Sequence, residues 1–451
     1  MSLMPVKMNK KCLKRWTILL LTSGWVLQGF GQEILTLKDA IRIGLENNYS
    51  IIIQKNEAEI AANNNTLGNA GFLPTVNLTG TQNNTITNTH QETFSSGAKD
   101  ITGATNRTLN AGIQLTWTLF DGFSMFAGKN MLKIMEEMGE TQTRITVENT
   151  LSSIIQTYYG IIQQQKLIAV LEDAAALSLE RKKIMEARIS LGSGSELQFL
   201  QATVDLNADS INLIRERSVL QKSMADLNRL LARSPEITFI PADSIKLQTR
   251  LNYDSLLAKT RGQNRELQMA RNNLSLSNFA LKDIRSQRYP RLNFNAGYSY
   301  SQLRSETGFL QYNRSLGPSF GVSLSYSLFN GFNVNREIQN ARLDLNTMEN
   351  YLLQTDLSLH TSLYQQYNDY LTNLRIVDME LINREVAREN VEVAFAKYRL
   401  GTINDIELRE TQKKYIDAQY QLLLSQFQAK NAEIELLRIS GELFKVLSVG
   451  F

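Results

Sequence analysis

Four stretches of the chain alternate apolar with uncharged polar residues, the pattern of a β-strand with two different faces. The pattern predicts strands at about 75–87, 108–120, 291–303 and 318–329. Its clearest examples have an apolar side chain at every second position: Ile113, Leu115, Trp117 and Leu119 in one strand, and Val322, Leu324, Tyr326 and Leu328 in another. A soluble antiparallel sheet with one face in a core is the commoner source of such alternation. The alternation alone therefore does not distinguish a soluble sheet from a membrane sheet, and the helices and loops around the strands are needed as further evidence.

A very long helix is predicted after each pair of strands. The runs 124–190 and 333–399 contain no proline, and each would extend about 100 Å as one helix of 67 residues. Shorter helices are predicted at about 38–70, 195–232, 255–287 and 405–440. Apolar residues recur every seven positions in the long runs, at Val147, Ile154, Ile161 and Ile168 and at Leu363, Tyr370 and Val377. Such a stripe specifies helix packing, and the shorter helices can stack end to end beside the long ones.

The same order of elements occurs twice along the chain. The motif LFDGF at 119–123 recurs as LFNGF at 328–332, and LGS at 191–193 recurs as LGT at 400–402; both offsets, 328 − 119 and 400 − 191, are 209. A shared offset between distant motifs predicts a duplicated unit. The predicted units are a repeat 1 at 33–236, an equatorial inter-repeat linker at 237–250, a repeat 2 at 251–446 and a tail at 447–451.

The first 32 residues have the pattern of a signal peptide. Five basic residues precede an apolar stretch at 16–30, which is short and interrupted by polar residues, so a cleaved signal is favoured over a transmembrane anchor. Removing 1–32 takes 5 of the 48 Lys and Arg and none of the 44 Asp and Glu, which leaves 43 against 44 and a net charge of −1. This balance excludes the basic surface of a nucleic-acid-binding domain. The single cysteine, Cys12, is also removed, so disulfides and cysteine metal sites are excluded.

A membrane location of the strands would require several copies of the chain. An open sheet edge in hydrocarbon leaves backbone groups unpaired at several kcal/mol each, and four strands are too few to close around a lumen. Three copies would supply twelve strands with an inner face of Asn, Ser and Thr. Polar loops at 88–107 and 302–317 on one side of the strands, with helices on the other side, favour this arrangement.

The order and spacing of the motifs resemble those of the TolC-like outer-membrane efflux proteins. The resemblance covers nearly the whole chain after residue 32, including the prolines Pro74 and Pro290 before the strands, the LFDGF and LFNGF motifs after them, and YRLGT at 398–402. It implies an α+β membrane protein, a trimer with a twelve-stranded β-barrel that continues into a long α-helical coiled-coil-like barrel. Each chain would supply four strands.

The resemblance also implies a location and a function. The protein would lie in the outer membrane of a Gram-negative bacterium and extend its helices into the periplasm. It would be the passive exit duct of a tripartite efflux or type I secretion system, docked to a periplasmic adaptor protein and an inner-membrane pump. No enzymatic activity and no cofactor are implied. A periplasmic coiled-coil scaffold and a free-standing diffusion porin are the alternatives, although a porin would not need helices of this length.

The resemblance carries over an adaptor-binding site at two helix-hairpin turns. These adaptor-binding tips are Leu191, Gly192 and Ser193 in the first repeat and Leu400, Gly401 and Thr402 in the second. A glycine at these positions is also what any helix end needs to reach a left-handed backbone conformation. A purely structural role of the turns is therefore the alternative.

A channel gate is the second site that the resemblance implies. Glu407 and Glu410 lie three positions apart on one helix face, in the register where the family usually has two aspartates facing the lumen. Three protomers would form a ring of six carboxylates that attracts cations. A solvated acidic face is the alternative. Tyr398 resembles a gate-bonding tyrosine of the family and could equally be a packing residue. His90 and His360, the two histidines, have no companion at ligand spacing, so no metal site is expected.

Overall fold

The computed structural model describes residues 33–93, 97–247, 251–307 and 310–444. The predicted signal peptide at 1–32 and tail at 447–451 lie outside these ranges, as do residues 248–250 of the predicted linker. The elements in chain order are β1 (Glu33–Leu35), α1 (Leu37–Asn47), α2 (Tyr49–Asn64), β2 (Thr75–Thr93), β3 (Gly97–Phe120), α3 (Ser124–Ser190), α4 (Glu196–Leu230), β4 (Phe239–Pro241), α5 (Tyr253–Gln263), α6 (Arg265–Ser286), β5 (Arg291–Ser305), β6 (Tyr312–Ser325), α7 (Asn333–Arg399) and α8 (Asp405–Ile439).

Four long strands form one antiparallel sheet in the order β2-β3-β5-β6, so β2 and β6 are its edge strands. The register places Trp117 opposite Phe294, and Phe294 opposite Val322. Because successive side chains point to opposite faces, this register makes one face of the sheet apolar. The other face carries Asn, Gln, Ser and Thr side chains, such as Asn295 opposite Thr116. The apolar face is exposed in the protomer, with Phe320 82% and Leu78 81% accessible.

The strands differ from the predicted ranges at the hairpin end of the sheet. The sequence pattern predicts strands at 75–87 and 108–120 with a polar loop between them, but β2 continues to Thr93 and β3 begins at Gly97. Residues in this region lack apolar alternation, yet their backbones still pair. The prediction of a strand at 318–329 is also wrong at both ends. β6 ends at Ser325, which pairs with Arg291 directly after Pro290, so residues 326–329 have no partner strand.

The predicted helices at 38–70 and 255–287 are each two helices, because an asparagine interrupts them. Asn48 separates α1 from α2, and its side chain accepts hydrogen bonds from the backbone N–H groups of Ser50 (2.9 Å) and Ile51 (3.3 Å). Its Nδ2 donates to the Leu230 carbonyl at 2.8 Å. The side chain therefore caps one helix and holds the end of α4.

Asn264 makes the same arrangement between α5 and α6. It accepts a hydrogen bond from the Leu267 N–H (3.0 Å) and donates one to the Ile439 carbonyl at the end of α8 (2.9 Å). Both asparagines are buried. Two short helices thus meet the end of a third element at each position, and an amide side chain satisfies the free backbone groups there.

We expect replacement of Asn48 by alanine to lower the free energy of unfolding by about 1–3 kcal/mol, because a helix cap is lost and a buried carbonyl loses its donor. Asn47→Ala is the matched control, since Asn47 is exposed and bonds only within its own helix, to the Ile43 carbonyl. We expect it to change stability by about 0.5 kcal/mol or less. Denaturant unfolding of the detergent-solubilised protein measures both; equal effects of the two changes would contradict the role assigned to Asn48.

The main hydrophobic core lies at the middle of the long helix α3. Ile154 and Tyr158 pack there against Leu35 of β1, Phe239 of β4 and Leu437 of α8. The Tyr158 hydroxyl oxygen lies 2.9 Å from the Leu35 carbonyl oxygen and 2.7 Å from Asp243 Oδ2, so its single proton is shared between these two acceptors. A second cluster joins the middle of α7 to α5 and α8. Each long helix is therefore anchored at its centre, and its two ends lie at the sheet and at a helix turn. Within the described residues, no helix has a stretch long and apolar enough to cross a membrane.

Candidate channel surfaces and helix tips

Apart from Arg291 at the end next to the helices, the side chains on the polar face of the sheet are uncharged along the stretch around Asn295. Thr79, Thr81, Asn110, Gln114 and Asn295 border a shallow cavity of about 450 Å³ on this face. Such groups hydrogen-bond water without attracting or repelling ions strongly. The face is therefore chemically suited to a water-filled passage. The opposite, apolar face is suited to hydrocarbon contact.

The two helix turns at the far end of the helices have the same geometry. Gly192 and Gly401 adopt left-handed φ values of 72° and 75°. In each turn the following residue closes a hydrogen bond to a helix carbonyl, from Ser193 N–H to Arg188 (2.9 Å) and from Thr402 N–H to Lys397 (3.0 Å). This is the helix-terminating motif that a glycine permits.

The turns also present apolar side chains to solvent. Leu191 and Leu400 are 81% and 80% exposed, far more than ending a helix requires. Arg188 joins the two turns, because its Nη2 donates to the Tyr398 carbonyl at 2.8 Å and its guanidinium lies 5.0 Å from the Tyr398 ring centroid. The six predicted tip residues therefore lie at one end of the protomer.

The predicted gate residues have two different environments in the protomer: the two glutamates are exposed and the tyrosine is buried. Glu407 and Glu410 are exposed on α8, and Glu410 has an exposed Lys413 ammonium 3.8 Å away. Tyr398 is instead fully buried among Met185, Ala202, Ala394 and Leu408. Its hydroxyl donates to Asp405 Oδ1 at 3.0 Å. Burial, and next the charge of Asp405, raise the pKa of Tyr398, so the phenol stays neutral.

A buried network of charges near the tips is absent from the sequence predictions. Arg181 of α3, which is 1% exposed, forms ion pairs with Asp205 of α4 and Asp405 of α8. Its Nη2 lies 3.1 Å from Asp405 Oδ2. Arg409 of α8 binds Asp209 of α4 through both terminal nitrogens, at 2.8 and 2.9 Å. The network therefore joins the two helix hairpins across three helices.

Ser178 and Gln412 complete this network. The Ser178 hydroxyl donates to Asp209 Oδ2 at 2.6 Å and accepts from Gln412 Nε2 at 3.0 Å. Burial disfavours the charged form of Arg409, but the hydrogen bonds and charge of Asp209, with the charge of Asp205, outweigh it and raise the pKa of Arg409. The spacing of Asp205 with Asp209, and of Asp405 with Arg409, puts each pair on one helix face. The spacing predicts that each pair shares a helix face, but it does not show that the two faces contact each other.

Similarity to known proteins identifies the family of this chain. The model of the outer membrane efflux protein family matches residues 41–233 and 256–442. The chain belongs to the outer membrane efflux protein family. It is 19% identical over 380 residues to outer membrane protein TolC of Escherichia coli, which covers 79% of this chain and 76% of TolC. It is 20% identical over 334 residues to protein CyaE of Bordetella pertussis, covering 73% and 70% of the two chains.

The fold of this efflux protein agrees with that of solved channels. The Campylobacter jejuni CmeC outer membrane channel superimposes with a TM-score of 0.75 at 14% identity, over 90% of this chain and 86% of that one. The predicted resemblance, the α+β fold and the outer-membrane location are thereby confirmed. OprN and CmeC, two of the similar solved structures, are both outer-membrane channels. Within the described residues, no group of three or more His, Cys, Asp or Glu could hold a metal ion.

Proposed function

We propose that the protein is the passive, trimeric exit duct of a tripartite efflux or type I secretion system. The observation that carries this proposal is the four-stranded sheet with one exposed apolar face, one polar face of mainly uncharged side chains and two edge strands. Edges of this kind are unfavourable in hydrocarbon unless neighbouring sheets pair with them. Three protomers would join their edges into a twelve-stranded barrel around the polar faces.

The helices would extend this barrel into the periplasm. α3 and α7 each have 67 residues and would reach about 100 Å from the sheet. Many apolar residues on their surfaces are exposed in the protomer, including Leu353, Leu357 and Ile382 of α7. Contacts between protomers would bury such residues in a helical barrel. The chain would be built of two copies of one unit, as the matching order of elements and the two matched family segments suggest.

The turns at 191–193 and 400–402 would bind a periplasmic adaptor that links the duct to an inner-membrane pump. Leu191 and Leu400 each expose apolar surface at one end of a long helical assembly, and such surface suits contacts between proteins. The mainly uncharged polar face of the sheet supports passive conduction without chemistry in the duct. The acidic pair Glu407 and Glu410 would form the gate close to these turns.

We expect single cysteines at Ser193 or Thr402 to crosslink to the adaptor in intact cells, because both side chains are exposed at the tips. The processed chain has no other thiol once 1–32 is removed, so labelling is specific. Asn346→Cys, on the exposed surface of α7 far from the turns, is the matched control. The measurement is the identity of the crosslinked protein by mass spectrometry. Adaptor capture from position 346 and not from the tips would contradict the docking assignment.

A further inference from the structure

Three arginines lie together near the hairpin end of the sheet. Arg107 of β3 and Arg304 of β5 are directly opposite each other in the register. Arg314 of β6 is opposite Gln302, two positions along β5 from Arg304. All three side chains are exposed. Like charges that face each other across strands are destabilising, so an anion between them would relieve this repulsion.

These arginines belong to the apolar face of the sheet and not to its polar face. Along β5 the residues of this face are Leu292, Phe294, Ala296, Tyr298, Tyr300, Gln302 and Arg304. The 12 positions from Leu292 to Arg304 correspond to about 40 Å along a strand and, at a tilt of about 40°, to about 30 Å along a membrane normal. The hydrocarbon-facing band of a barrel is about 25 Å tall. The arginines would therefore lie at one headgroup layer.

Tyrosine rings support the guanidinium groups against this surface. Arg304 lies 5.8 Å from the Tyr312 ring centroid, and Arg314 lies 5.4 Å from that of Tyr300. The acidic side chain beside them, Glu306, accepts a hydrogen bond from the Thr105 N–H at 2.7 Å. Among the described residues, no carboxylate forms an ion pair with any of the three arginines. Their charge is therefore available to a ligand.

The other end of the same face has different chemistry. Next to the helices the face ends in Phe120, Leu292 and Leu324, which are paired across the strands. Arg291, also at this end, lies on the opposite, polar face because it precedes Leu292 by one position. The cationic cluster thus marks only the headgroup layer that lies away from the helices. With the helices in the periplasm, that layer is the outer leaflet.

We propose that Arg107, Arg304 and Arg314 bind the phosphate groups of a phosphorylated glycolipid of the outer leaflet, of the lipopolysaccharide class. Guanidinium groups bind phosphate oxygens in pairs of parallel hydrogen bonds, and basic clusters beside hydrocarbon recognise anionic headgroups. The tyrosines would contact the first atoms of the acyl chains. This inference rests on the proposed function, because it requires the sheet to be part of a barrel in a membrane.

The test compares the binding of fluorescent lipopolysaccharide to three purified proteins in detergent. They are the wild type, the triple variant Arg107→Gln, Arg304→Gln, Arg314→Gln, and the control Arg291→Gln on the other face of β5. We expect the triple variant to bind at least about tenfold more weakly and the control to bind like the wild type. Lipopolysaccharide stripped of its phosphates should bind the wild type as weakly, a result that needs no variant to fold.

Two results would overturn the inference. The first is equal binding of phosphorylated and dephosphorylated lipid by the wild type. The second is displacement of the lipid by millimolar inorganic phosphate, which would indicate a site for the free ion. Channel conductance of the same preparations separates this inference from the proposed function. A conducting wild type with phosphate-independent lipid binding contradicts the lipid site alone, whereas a wild type that forms no channel contradicts the proposed function.

Discussion

Replacement of Arg181 by alanine is expected to lower the free energy of unfolding by about 3–5 kcal/mol, one of the two largest effects of a single change that the structure indicates. Arg181 is 1% exposed and is paired with both Asp205 and Asp405. Without it, the three carboxylates of Asp205, Asp209 and Asp405 share a single cation, Arg409, in a buried place. An unpaired buried charge costs more than its pair contributes. Denaturant unfolding and protease cleavage near the tips would measure the loss.

Two further variants separate charge from packing in this prediction. Arg399→Ala removes an arginine that pairs with Glu180 on the surface, where both side chains are about half exposed, and we expect a change of about 1 kcal/mol or less. The combination Arg181→Met, Asp205→Asn, Asp405→Asn removes the charges together and should restore most of the lost stability. Equal losses for Arg181→Ala and Arg399→Ala would show that the network does not hold the hairpins together.

Replacement of Gly122 by alanine should destabilise the junction of sheet and helix by about 3–5 kcal/mol, through backbone strain and a clash. Gly122 has a φ of 74°, and a Cβ there would overlap the Ser286 carbonyl oxygen and lie 2.8 Å from Tyr289 Cβ. Gly331 occupies the equivalent place in the second LF(D/N)GF motif, with a φ of 68°, but the nearest atom to its Cβ would be Asn333 Nδ2 at 3.7 Å.

Gly331→Ala is therefore a matched control that keeps the strain and removes the clash. We expect it to cost about 1–2 kcal/mol. The measurement is the midpoint of thermal unfolding of each purified variant in detergent, followed by circular dichroism. Equal midpoints for the two variants would mean that the close approach of α6 to the turn at Gly122 does not contribute.

The two long helices are the part of the fold that the sequence predicts best. The outer, polar parts of strands β2 and β3 are the part that it predicts least well. α3 and α7 coincide with runs that lack proline and carry heptad stripes, so local sequence and packing agree. The breaks at Asn48 and Asn264 are absent from the predictions because helix-forming sequence continues on both sides of each asparagine. The carbonyls of Leu230 and Ile439, which hold the two side chains in place, are distant in sequence. The outer parts of β2 and β3 were missed because pairing of Thr- and Asn-rich backbones leaves no hydrophobic period.

The sequence predicts only those parts of the candidate site whose conformation depends on residues close together in the chain. A glycine just after a helix favours the left-handed backbone conformation that ends the helix. The turns at Gly192 and Gly401 are therefore predictable from the sequence. The position of Tyr398 is not, because its burial depends on Met185 and Leu408, which come from other helices. The same is true of Arg181, whose partners are 24 and 224 positions away. The family itself was recognised from motif order, and the match to the outer membrane efflux protein model confirms it.

The most direct test of the channel account is conductance in a planar lipid bilayer. The purified wild type would be compared with the double variant Glu407→Gln, Glu410→Gln, and with Glu57→Gln, Glu59→Gln, which removes two exposed charges remote from the turns. We predict a small, cation-selective current in the wild type that divalent cations block, because a ring of carboxylates binds them. The block should be lost in the first variant and kept in the second. A wild-type protein that forms no channel would contradict the account and favour the periplasmic scaffold.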